Sequence, residues 1–185
     1  SGTMLADRMR MAAAGRGGET DNGNDSYTKL LMHMEGTDDA QVFTDSSVGN
    51  LVKIDSGGLG DGFGVFNGTD AYLTVADHAD FAFGSGSFTI EAWVYVPDST
   101  GIYTIFSIGG GGADYLTFRV QSGTVLGGER VSSSWTSVTT TATVSPNVWT
   151  HLAWVKNVND QRIYIDGVDG GGGGTVAHTF VDYAT

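Results

Sequence analysis

Apolar and polar residues alternate most strictly between Ser87 and Val96. Phe88, Ile90, Ala92, Val94 and Val96 fall on one side, and Thr89, Glu91, Trp93 and Tyr95 on the other. A period of two predicts a strand with one face in a core. Gly84-Ser85-Gly86 bounds it in front and Pro97-Asp98-Ser99 behind. Its β-branched and aromatic content places it in the middle of a sheet. The face carrying Trp93 and Tyr95 reads as either a second core layer or an open binding surface.

The same period recurs along the chain. Strands are predicted at Lys29–Glu35, Leu51–Ile54, Phe63–Phe66, Ala71–Val75, Tyr103–Ile108, Tyr115–Gln121, Thr150–Lys156 and Gln161–Ile165, with a short extended piece running into a turn at Val42–Ser47 and a Ser/Thr-rich ribbon over Val131–Val144. Ser56–Gly62 reads as a Gly-rich loop. Asn67-Gly68 and Asp166-Gly167 are tight-turn signals. Phe81 and Phe83 read as plugs beneath the loop at 77–85. Many short strands without helical periodicity predict an all-β, two-sheet antiparallel sandwich or jelly roll.

The N-terminal stretch breaks this pattern. Met4–Ala14 has a helix-forming composition, with Leu5 and Met9 on one side and Arg8 and Arg10 beside them. Gly15-Arg16-Gly17-Gly18 stops it, and Glu19–Ser26 reads as a linker. Residues 1–18 hold three arginines and one aspartate, a net +2 that leaves −14 for the rest of a chain whose total is −12. The expected division is an N-terminal arm and Gly/Asn-rich linker over 1–26 and a β domain over 27–185. In this reading the arm anchors the domain to a partner, with Leu5, Arg8, Met9 and Arg10 as contact residues.

Composition narrows the classes. The 185 residues suit one domain. A charge of −12 argues against nucleic acid as a partner. No apolar run is long enough to span a bilayer, so no membrane partner is expected. The arm has no apolar core of the length a secretory signal needs. With no cysteine there is neither a disulfide framework nor a thiolate site.

Several segments together carry a resemblance. Leu30-Leu31-Met32-His33-Met34-Glu35-Gly36-Thr37, Phe43–Ser47, Val65–Leu73, Asp80–Val94, Val148–Val155 and Ile163–Gly167 stand in the order found in the concanavalin A-like, laminin G-like jelly roll, which they resemble over about residues 29–182. That family includes sugar binders, protein binders, adhesins and a few glycosidases. The Leu-Leu-Met-His opening, after a Met-Arg-Met-Ala-Ala-Ala-Gly arm, is similar to structural proteins of tailed bacteriophages. The resemblance therefore implies a virion component in a homo- or hetero-oligomeric assembly, with other virion proteins and surface glycans as partners. The alternative is a secreted bacterial carbohydrate-binding or adhesion module. In the family the chain runs on past the Asp-Gly hairpin to a closing strand beside the first one. Phe180–Thr185 stands where that strand should begin. Three readings follow: a truncated chain, a sheet without closing strands, or a strand supplied by another chain; an unpaired edge beside Leu30–Met34 would invite strand addition.

The candidate chemistry is sparse. Glycosidases of the family set carboxylates close together on one strand, but Glu91 has only Thr89 and Trp93 as same-face neighbours. No Gly-x-Ser-x-Gly elbow is present, and His33, His78, His151 and His178 lack ligand spacing. The expectation is a protein that is not an enzyme. Calcium is a candidate ligand because hard oxygens are dense at Glu35, Asp38, Asp39 and Asp45, and again at Asp70, Asp77 and Asp80. The competing reading is solvated Asx-turn residues. A sugar site would use aromatic platforms. Trp135 and Tyr95 are the candidates, with Arg119 as donor, while Trp154 shares its face with Leu152 and is expected in the core. The glycine runs at 109–112 and 170–174 read as flexible hairpin loops.

Overall fold

The computed structural model describes residues 2–5, 10–12, 52–56, 58–60, 63–66, 71–109 and 114–183. Fifteen strands lie among them: β1 (Gly2–Leu5), β2 (Arg10–Ala12), β3 (Val52–Ser56), β4 (Gly58–Gly60), β5 (Phe63–Val65), β6 (Tyr72–Val75), β7 (Phe88–Tyr95), β8 (Ile102–Ile108), β9 (Tyr115–Gln121), β10 (Thr124–Val131), β11 (Ser134–Thr139), β12 (Trp149–Asn157), β13 (Asp160–Ile165), β14 (Val168–Asp169) and β15 (Gly174–Thr175). They form two antiparallel sheets. The first runs β11-β10-β9-β8-β1-β6-β3, and the second β14-β13-β12-β7-β2-β5-β4 with β15 beside β13. One turn of 3-10 helix at Ala79–Phe81 joins β6 to β7. The architecture is the expected all-β sandwich.

The alternation predicted for 88–96 is met. Val94 and Val96 are fully buried, while Phe88, Ile90 and Ala92 pack against the core with part of their surface open. Trp154 is 0% exposed and forms the centre of the core, with Phe88 edge-on at 5.0 Å and Phe118 at 6.1 Å. Phe81 and Phe83 close over the core as partly buried plugs. At the second hairpin Asp166 (φ 50°) and Gly167 (φ 79°) both take left-handed conformations, as a primed turn requires.

Four expectations are corrected. The helix over 4–14 is not formed: Gly2–Leu5 and Arg10–Ala12 are strands. β1 pairs with β6 from Gly2↔Val75 to Leu5↔Tyr72 and meets β8 at Gly2↔Ile108. β2 pairs with β7 through Arg10↔Tyr95 and with β5 through Arg10↔Val65. A short helix in water starts from a costly nucleus, whereas a slot between two strands satisfies backbone groups on both sides. The supposed loop 56–62 contains β4, paired with β5.

The third correction concerns β10, which the pattern did not reveal because Gly127-Gly128 interrupts it. Both glycines answer a packing demand: a Cβ on Gly127 would overlap the Trp154 indole, and one on Gly128 would overlap Ser137. Fourth, the glycine run at 170–174 is a packed loop. Gly170 is buried, Thr141 donates its backbone N–H to the Gly170 carbonyl at 2.9 Å, and a Cβ on Gly172 would overlap the Thr139 carbonyl. The predicted strand at 29–35, the extended piece at 42–47, the edge beside Leu30–Met34, the Asn67-Gly68 turn and residues Arg8 and Met9 lie outside the described residues.

Candidate functional site

The outer face of the first sheet carries the candidate site. Along β9 the core residues Leu116, Phe118 and Val120 alternate with Tyr115, Thr117, Arg119 and Gln121 on the opposite face, where Thr117 is itself buried and the others are half-buried. Cross-strand register brings Arg130 of β10 opposite both Tyr115 of β9 and Trp135 of β11. Trp135 is 40% exposed. The Arg119 guanidinium carbon lies 5.2 Å from the indole centroid, within cation–π range. The Tyr115 ring meets the same indole edge-on, with centroids 5.6 Å apart and planes at 89°.

The platform is held from below and from one end. Ser132 and Ser133 both have positive φ in the β10–β11 turn, and the Asp114 carboxylate accepts the Ser132 backbone N–H at 2.7 Å. Arg130 donates to the Ser133 hydroxyl at 3.5 Å. Arg119 differs from the other well-placed cations. Arg162 lies between Asp160 (2.8 Å) and Asp169 (2.6 Å), and these contacts raise its pKa. Lys156 is buried and donates to the Ser85 and Gly86 carbonyls at 2.7 and 2.8 Å, with burial lowering its pKa. No described carboxylate pairs with Arg119, and its Nε is enclosed without an acceptor. Gln121 Oε1, two residues along the same face, is also enclosed without a donor. A partly exposed indole with a guanidinium over its ring can offer its open surface to a sugar ring, and the guanidinium can donate to the sugar oxygens.

The structure thus joins two of the three predicted ligand contacts and separates the third. Tyr95 lies on β7 in the other sheet, where its ring is 5.8 Å from Trp149 and its hydroxyl donates to Asn147 Oδ1 at 3.3 Å. Strand parity alone could not show that β7 and β9 belong to different sheets. Trp93 and His151 meet beside it with centroids 5.3 Å apart and planes tilted by 52°, and His151 is 3.5 Å from the exposed Glu91 carboxylate. On that face Thr89 and Glu91 are exposed, while Trp93 and Tyr95 are half-buried. Tyr115 and Arg130 were not singled out from sequence, because their meeting with Trp135 depends on β10, the strand hidden by its glycines.

The calcium candidates Glu35, Asp38, Asp39, Asp45 and Asp70 lie outside the described residues. Asp77 and Asp80 are exposed, and Asp80 stands 3.2 Å from His78. Among the described residues no group of three or more His, Asp or Glu could hold a metal ion.

Residues 67–184 match the family model of the concanavalin A-like lectin/glucanases superfamily, in its laminin G-type form. With that match covering more than half of the chain and a sandwich of the same kind, the protein belongs to this superfamily. No curated protein and no solved structure matches it.

Proposed function

We propose that this chain is a non-enzymatic glycan-adhesion module, displayed as a structural, decoration or fibre component of a tailed-phage virion. The observation that carries the adhesion reading is the exposed Trp135 indole with the Arg119 guanidinium over it and, among the described residues, no carboxylate paired with that cation. Membership of a superfamily rich in binding modules supports it. The described carboxylates are arranged for structure: Asp160 and Asp169 hold Arg162, Glu129 is buried, and Glu91 faces His151.

The virion setting rests on the likeness of the 30–37 opening and the preceding arm to phage structural proteins. Association with other virion proteins belongs to the same proposal. With β1 and β2 inside the sheets, a helical arm is dropped as the means of attachment. The alternative setting is a secreted bacterial binding module.

Binding is tested by glycan array followed by calorimetry. Wild type should bind a saccharide, and Trp135→Ala or Arg119→Met should weaken it at least about tenfold, the scale of losing one aromatic or charged anchor. A bound glycan that both variants hold as well as wild type would refute the site. The setting is tested separately by mass spectrometry of purified particles of a phage that encodes the chain.

A further inference from the structure

Among the described residues, the sheet edge formed by β11 is built differently from the other edges. At the far edge of the same sheet, β3 has its register broken between Ile54 and Ser56, and its sequence includes Lys53 and Asp55. In the second sheet the end strands are short: β4 has three residues, and β14 and β15 have two each. Bulges, charges and short strands all hinder pairing with another chain. β11 has six residues. From Val131 to Thr150 the sequence holds no charged residue, and its first proline is Pro146, beyond the strand.

The backbone directions of β11 follow from its register with β10. Just past the strand, Thr140 donates its N–H to the Val125 carbonyl at 2.9 Å. Antiparallel partners exchange such bonds at every second residue, so Val138, Thr136 and Ser134 also turn their N–H and C=O groups to β10. Trp135, Ser137 and Thr139 turn theirs away from the sheet. The Thr139 carbonyl is approached by Gly172, on which a Cβ would overlap it. Trp135 and Ser137 are exposed, and among the described residues no further strand or loop bonds their backbone. The N–H and C=O of both residues therefore face solvent in an uncharged row.

That row is complementary to itself. Under a two-fold rotation Trp135 stands opposite Ser137 of a second copy, and in both symmetric pairs each N–H meets the other's C=O. Thr136 falls on the axis and faces Thr136 of the second copy, a pairing that favours strand association. A second copy thus supplies every partner these groups need. The net charge of −12 that sets copies apart is carried outside this segment. We propose that the β11 edge is a homophilic pairing site, at which two copies of this chain join antiparallel through Trp135 and Ser137 and continue the first sheet across a two-fold axis. The shared ladder is short, so the dimer forms by mass action as concentration rises. It makes the two Trp135 indoles diagonal neighbours on one continuous face, which joins two candidate sites into one platform. That last consequence rests on the adhesion reading; the pairing does not.

Sedimentation equilibrium of the full chain, without saccharide, from micromolar to millimolar concentration tests the pairing separately from glycan binding. Wild type should pass from monomer to dimer. Ser137→Pro removes an outward N–H that β10 does not use, so it should stay monomeric with an unchanged circular dichroism spectrum. The chain has no cysteine, which lets cross-linking read the register. Under oxidation Thr136→Cys, on the axis, should give a disulfide-linked dimer, and Thr139→Cys, exposed but off the axis, should not. A wild type that is monomeric throughout, a dimer that Ser137→Pro leaves intact, or equal cross-linking of the two cysteine variants would overturn the proposal. If Ser137→Pro does not fold, the cysteine variants decide.

Discussion

Single residues in this molecule are held in states that their own chemistry resists, and each such state can be measured. Val158 sits at the tip of the β12–β13 hairpin with φ 54°, a left-handed conformation that a β-branched residue adopts at a cost of roughly 1–2 kcal/mol. It is 60% exposed, so it recovers little by packing. Val158→Asn should therefore raise stability by about 1 kcal/mol in denaturant unfolding; an unchanged midpoint would show that the turn is not strained. Asp98 is the opposite case. Its carboxylate accepts the backbone N–H of Thr100 at 2.7 Å and of Gly101 at 3.0 Å, closing the turn after β7. The Thr100 N–H first, then the Tyr103 hydroxyl and the Gly101 N–H, hold its pKa down at about 2, against an ordinary 3.8. A depressed carboxylate stabilises the fold above its unfolded value and loses that contribution as pH falls through its folded value. The contribution of Asp98 is thus complete above about 3.8 and lost toward pH 2. The melting temperature of Asp98→Ala should fall less steeply than that of wild type between pH 4 and 2. Tyr183 runs the other way. Burial first, then its bond to Glu129, raises its pKa, so its contribution is present below the ordinary tyrosine value and fades as pH rises beyond it. Tyr183→Phe should be less stable at neutral pH and flatter in alkali.

At the scale of elements, β10 shows how a strand escapes a pattern search and why it matters. Gly127 and Gly128 lower its intrinsic strand preference, yet they let Trp154 and β11 approach. Gly127→Val supplies a better strand former in isolation. It should nevertheless cost about 1–3 kcal/mol, because the added methyl groups meet a fully buried indole. Chemical denaturation checks this, and a stabilised variant would mean that Trp154 can move. The same strand carries Arg130 outward toward the Trp135 platform and Glu129 inward, where it accepts the Val181 backbone N–H. The β12–β13 hairpin was readable, since period two and a short loop agree, and Asp166-Gly167 marked the next turn, between β13 and β14.

At the scale of the whole molecule, the N-terminal residues belong to the sandwich. β1 lies between β8 and β6 in one sheet, and β2 between β7 and β5 in the other. Deleting residues 1–12 should therefore lower stability by about 3 kcal/mol or more, since it strips several ladder hydrogen bonds from strands in both sheets. Calorimetry on the shortened chain decides, and an unchanged melting temperature would return these residues to the role of a peripheral arm.

What the sequence determined by itself was everything that depends on neighbours along the chain. Alternation assigned the faces of β7, turn chemistry placed the Asp166-Gly167 hairpin, and the pairing of Leu152 with Trp154 on one face put that indole in the core. Those signals are local because side-chain parity and left-handed turns are properties of a few consecutive residues. What only the tertiary structure decided depends on which strands lie side by side. Met4-Leu5 and Arg10-Met11 have helical composition but fill strand slots, because two flanking backbones outweigh a few tenths of a kcal/mol of propensity per residue. Tyr95 and Trp135 look alike in sequence yet stand on different sheets. Glu129, charged and between a glycine and an arginine, had no local reason to be buried. Its reason is 49 to 54 residues further along the chain, in His178, Val181 and Tyr183.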